Sequence, residues 1–94
     1  MFKIDWDGGD GVRLEGRLDA ASVDRARDVL NSIDRSCRLD FSTLDYIASA
    51  GLGVLIAAQR RLREQGHGLI LAGLSPHLRE VLALAGFEGV FEFE

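Results

Sequence analysis

Between Asp40 and Gly53 a strand pattern gives way to a helical one, and that junction constrains the fold more than any other stretch. Cys37, Leu39 and Phe41 alternate with Arg38 and Asp40, the pattern of a strand buried on one face, so a strand is expected over Cys37 to Phe41. A helix is expected from about Ser49 to Gln65, with Leu52, Leu55, Ile56 and Leu62 as its core stripe. Ser49 then stands at the helix mouth, where the first amides and the positive end of the dipole face whatever its hydroxyl carries. A phosphate is well held in such a place.

The same two periods organise the rest. Phe2, Ile4 and Trp6 alternate with Lys3, Asp5 and Asp7, and Val12 and Leu14 with Arg13 and Glu15. Gly8-Gly9-Asp10-Gly11 between them reads as a hairpin turn. Val23, Ala26, Val29, Leu30 and Ile33 form one helical stripe after the segment Gly16-Arg17-Leu18-Asp19. Gly68 to Ala72 is a short apolar strand. Ser75 and Pro76 open a third helix as N-cap and first residue, with Leu78, Val81, Leu82 and Ala85 inward. Val90 to Phe93 completes the order as a last short strand. Gly66 and Gly86 are the expected helix stops. The expectation is an α/β fold: a mixed sheet of about four to five strands with helices mainly covering one face.

Ninety-four residues suit a single domain over 1–94. A hydrophobic fraction of 47% with 28% charged residues describes a globular chain. The net charge of −4 argues against a broad nucleic-acid footprint. No segment reaches the ~18 apolar residues of a membrane span, and the amino-terminal alternation does not resemble a signal peptide. A cytoplasmic address without membrane insertion is the expectation. The lone Cys37 reads as a small core residue, and no spacing of His67, His77 or carboxylates suggests a metal site. Gly8 to Gly11 lacks the Lys-Ser/Thr ending of a phosphate-binding loop. No cofactor is expected, and no constellation of His, Cys or carboxylates suggests an enzyme.

Three stretches, in order, resemble the STAS domain, the module shared by anti-sigma-factor antagonists and sulfate transporters. Gly16-Arg17-Leu18-Asp19-Ala20-Ala21 is similar to the family's turn before its first helix. Asp40-Phe41-Ser42 followed by Tyr46 to Leu55 resembles the central motif. Leu74-Ser75-Pro76 with Val81-Leu82 and Ala85-Gly86-Phe87 resembles the carboxy-terminal helix and its exit. The resemblance implies that Ser49 is a phosphorylation switch. It implies an anti-sigma factor or serine kinase of histidine-kinase-like ATPase fold as partner, and a serine phosphatase that removes the phosphate. The chain would be substrate in both reactions, catalyst in neither, and a monomer when free. The implied partner face holds Asp19, Ala50, Gly51, Gly53, Val54 and Ala57. The chain departs from the pattern at Ala48, where many members carry an aspartate, and at Ala50, where a second hydroxyl is common. An alternative within the family is a constitutive subunit of a lipid-transport ATPase complex.

Each of these residues also has a plainer reading. Ser49 alone is a helix N-cap worth about 1 kcal/mol. Its phosphate would meet the amides of Gly51 and Leu52, with Asp19 adding negative charge. Gly51 and Gly53 each lower helix propensity by about 1 kcal/mol relative to alanine. They allow close approach either by a partner or by the chain's own sheet. Val54, Ala57 and Ala58 form either a contact patch or internal packing. Arg60, Arg61 and Arg63 read as a solvated helix end, and Trp6 and Tyr46 as core-facing.

Overall fold

The computed structural model describes residues 1–9 and 11–94. Its strands are β1 (Phe2–Trp6), β2 (Gly11–Leu18), β3 (Cys37–Ile47), β4 (Leu69–Ala72) and β5 (Glu92–Phe93). Its helices are α1 (Val23–Asn31), α2 (Ser49–Glu64) and α3 (Pro76–Leu84). The strands lie in the order β1-β2-β3-β4-β5, with β1 antiparallel to β2 and every later pair parallel. Helical crossovers make the parallel pairs possible, as the alternation of periods requires.

One face of the sheet is dry. Phe2, Ile4, Val12, Leu14, Leu18, Cys37, Leu39, Phe41, Leu44 and Ile47 are buried in one cluster with Ala26 and Leu30 of α1, Leu55 and Leu62 of α2, and Leu78 and Leu82 of α3. The other face carries Lys3, Asp5, Arg13, Arg38 and Ser42, all exposed. Opposite charges sit across the strands there, Lys3 facing Glu15 and Asp5 facing Arg13, an arrangement that favours this register. Arg38 reaches Glu94 at 2.6 Å, which raises its pKa.

The third strand is much longer than its alternation suggests. After Phe41 the buried positions are Leu44 and Ile47, three apart rather than two. The β2–β3 register slips between Arg13 and Glu15 and again between Gly16 and Arg17, so β3 absorbs extra residues as bulges. The Asp40 carboxylate secures the first by accepting the Ser42 amide at 2.9 Å. That bond, helped by Ser42's hydroxyl and by Arg38 and Arg13, holds Asp40 below the usual carboxylate range. Strand β2 likewise continues through the expected turn to Leu18. Gly16 permits this: its φ is +87°, and a Cβ there would lie 1.6 Å from the Met1 carbonyl oxygen.

Two aromatic assignments are corrected. Trp6 is 45% and Tyr46 is 37% exposed. Trp6 ends the edge strand beyond the buried pair Phe2 and Ile4. Tyr46 lies on β3 past Asp40, the last residue that β4 pairs. Ala85 caps α3 and is exposed rather than inward, and Leu84 is 82% exposed. The helix stops follow expectation. Gly66 (φ +81°) and Gly86 (φ +82°) each close a helix, with His67 N donating to Leu62 O and Phe87 N to Leu82 O. The turn expected at Gly8 to Gly11 includes Asp10, which is outside the described residues.

Candidate functional site

The parallel pairing of β2 and β3 delivers two chain segments to the same end of the sheet. Leu18 is opposite Ile47, and the Ala48 amide donates to the Leu18 carbonyl at 2.8 Å. The next residues out are Asp19 on one segment and Ser49 on the other. Helix α2 starts at once. Ala48 is the N-cap, extended at φ −92° and ψ 171°, and supplies no side-chain cap. Ser49 is therefore the first helical residue rather than the cap, and its side chain is exposed. The first intrahelical bond from outside the helix runs from Leu52 N to Ala48 O at 3.1 Å. The Leu52 amide is thus engaged, and the amides that a group on Ser49 would meet are those of Ala50 and Gly51.

Asp19 is tied into a small knot. Its Oδ1 accepts the Ala21 amide at 3.0 Å, and its own amide donates to Ser22 Oγ at 3.0 Å. Ser22 Oγ in turn donates to the Arg17 carbonyl at 2.9 Å. Ser22 is buried, and sequence reasoning passed over it. The signal was its place three residues after Asp19, a spacing that lets the serine hydroxyl bond the Asp19 backbone and carboxylate. The second carboxylate oxygen, Oδ2, lies 4.0 Å from Arg17 Nε. Arg17 also spreads over the Tyr46 ring, 4.2 Å from its centroid. A cation thus stands beside the acid that the sequence places near Ser49.

The remaining site residues divide sharply. Ser49, Ala50, Gly53 and Ala57 are exposed, and Ser49, Gly53 and Ala57 follow one another at intervals of four along α2. Gly51 and Val54 are buried. A Cβ on Gly51 would sit 2.7 Å from Leu18 Cγ and 3.2 Å from Leu18 O, so this glycine serves packing of α2 on β2. A Cβ on Gly53 would meet nothing within 4 Å. Val54 and Ala58 pack inward, which leaves Ala57 as the exposed member of that group.

The arginines at the end of α2 are also not uniform. Arg61 is half-buried and donates to Leu30 O at 2.9 Å, at the carbonyl end of α1. Arg60 and Arg63 are exposed. Gln59, another residue the sequence did not single out, is 3% exposed and bridges Leu69 N and Val90 O at 2.7 Å each. No helix among the described residues is long and apolar enough to cross a membrane.

Comparison with known proteins fits this geometry. A family profile described as "Mlab, STAS domain" matches residues 2–92. The chain is 40% identical over 79 residues to BtrV of Bordetella bronchiseptica, provisionally named an anti-sigma factor antagonist. That alignment covers 84% of this chain but 61% of BtrV, so the chain spans less than two thirds of that relative. It is 28% identical over 87 residues to the anti-sigma-B factor antagonist of Listeria monocytogenes, covering 88% of this chain and 76% of that one. The fold superposes on the anti-sigma factor antagonist SpoIIAA in its unphosphorylated form with a TM-score of 0.74 at 21% identity, covering 100% of this chain and 87% of the other. With the family profile running over nearly every residue that builds the sheet and its three helices, the chain belongs to the STAS domain family.

Proposed function

We propose that this chain is an anti-sigma factor antagonist, a protein-interaction module switched by phosphorylation of Ser49. The observation that carries the reading is the exposed hydroxyl of Ser49 at the first position of α2, beside amides with no helical acceptor. The names of its relatives support the same class. Residues 1–94 act as one domain in the cytoplasm. Unmodified, they bind a kinase-like ATPase through Ser49, Ala50, Gly53, Ala57 and the turn at Asp19, with Gly51 and Val54 setting the helix position from beneath. The partner transfers phosphate to Ser49, a phosphatase removes it, and the chain catalyses neither step. Phosphate adds roughly −1.5 to −2 charges, enough to expel a closely packed partner surface without refolding.

A second reading is favoured by Ala48. It leaves the helix mouth with no side-chain cap and no acid to orient the hydroxyl. A constitutive subunit of a transport ATPase needs neither. The two readings separate by partner. A tagged chain pulled from its native cells brings down a kinase-fold ATPase if Ser49 is a switch. A membrane-transport ATPase in its place overturns the switch and leaves Ser49 as an ordinary helix residue.

A further inference from the structure

We propose that β1 is the contact strand of a symmetric dimer, pairing antiparallel with β1 of a second copy about a two-fold axis at Ile4. The inference goes beyond the switch reading and does not rest on it, since no residue of β1 belongs to the face around Ser49. It replaces the free monomer that the family resemblance implies.

β1 is an open edge of the sheet. The other edge, β5, is only two residues long. β1 runs five residues, pairs with β2 without a register slip and holds no proline, so none of these devices guards it against a further strand. One bond at its end fixes the direction of its main-chain groups. Asp7 N donates to Gly11 O at 2.8 Å, one step beyond the Trp6–Val12 pair. Opposed residues alternate between bonded and unbonded, so Asp5 and Lys3 also turn their N–H and C=O groups toward β2. Phe2, Ile4 and Trp6 turn theirs outward, where β1 has no neighbour.

The strand is complementary to itself. With Ile4 opposite its own copy, Lys3 faces Asp5 of the second copy and Asp5 faces Lys3, all on the open face of the sheet. The outward groups of Phe2, Ile4 and Trp6 then meet those of Trp6, Ile4 and Phe2 in the second copy, giving about six main-chain hydrogen bonds. Both ion pairs fall at unbonded positions, where side chains across an antiparallel pair lie closest. Sliding the strands by one pleat in either direction sets Asp5 against Asp5 or Lys3 against Lys3. Charge thus selects both the register and the occupant, a second copy of this chain related by a two-fold axis. Trp6 supplies the apolar part. It lies on the same side of β1 as the buried Phe2 and Ile4, yet it is 45% exposed. In the dimer its ring lies beside Phe2 of the second copy, an aromatic pair across strands.

Trp6 is the chain's single tryptophan, so its fluorescence reports on this edge directly. Sedimentation and tryptophan emission of the whole chain are followed over a concentration series. The expected result is a rise from monomer to dimer mass with a parallel blue shift of the emission. Lys3→Glu leaves two acids on the open face of β1, and Asp5→Lys leaves two bases. Each variant alone is expected to self-associate at least about tenfold more weakly than wild type. An equimolar mixture of the two is expected to recover the dimer, because each strand then faces its opposite. A wild-type chain that stays monomeric up to about 1 mM overturns the proposal. So does a dimer whose emission does not move with concentration, or folded single variants that dimerise like wild type. The first two outcomes use the unaltered chain and hold whether or not a variant folds. None of them bears on the switch, which fails by a different measurement, partner affinity that ignores the phosphate.

Discussion

Two glycines two residues apart on α2 make opposite predictions. Gly51 touches Leu18 so closely that a methyl group must push the helix off β2. Gly51→Ala should destabilise the fold by about 1–3 kcal/mol despite the better helix propensity of alanine, as overpacking does. Gly53 has open space around it, so Gly53→Ala should stabilise by up to about 1 kcal/mol. Urea unfolding of the two variants checks both. A stabilising loss of Gly53 that also weakens partner binding is the signature of a surface kept bare for contact. Asp40 adds a pH dependence. Its carboxylate pKa is lowered in the fold by the Ser42 amide, so its contribution is full above the unfolded value near 3.8 and is lost as pH falls through the folded one. Asp40→Asn should flatten the acid end of a stability-against-pH curve, below about pH 4, and leave the neutral region without this pH-dependent term.

At the level of elements, the joints between α2 and its neighbours decide where Ser49 stands. Gln59 ties the middle of the helix to β4 and to the segment before β5 through Leu69 N and Val90 O. Gln59→Leu leaves a buried amide without an acceptor and should cost about 1–3 kcal/mol, read from the denaturation midpoint. Most elements were legible because their patterns are regular: Ser75-Pro76 announces α3, where Ser75 Oγ does accept the Leu78 amide at 3.1 Å, and Gly66 and Gly86 close their helices. The second half of β3 was hidden because bulges change its period from two to three, and a period is all that a single sequence displays there. Trp6 and Tyr46 were misplaced for a related reason. Alternation says which side of a strand a residue takes, not whether anything covers that side. Gln59 announces nothing by composition, because its role arises only from backbone groups brought near by the fold, whereas the partners of Ser22 are local and only their spacing hints at it.

The whole molecule has a covered face that supplies stability and, at the carboxyl ends of β2 and β3, the surface proposed for contact. The proposed switch region lies at that end, where Leu18–Asp19 and Ala48–Ser49 emerge together, and the exposed ridge Ser49-Gly53-Ala57 continues it along α2. Because Ser49 is exposed and at the positive end of α2, a negative charge there should leave the fold intact. Ser49→Asp is expected to change stability by less than about 1 kcal/mol, in the stabilising direction. The central claim is that this one charge decides binding, and the direct measurement is calorimetric titration of the kinase-fold ATPase recovered with the chain. The unmodified chain and a chain carrying phosphoserine at position 49 are compared. The expected result is tight binding by the first and an affinity at least about tenfold weaker for the second, a difference of about 1.4 kcal/mol or more. Equal affinities, with both chains folded, would contradict it.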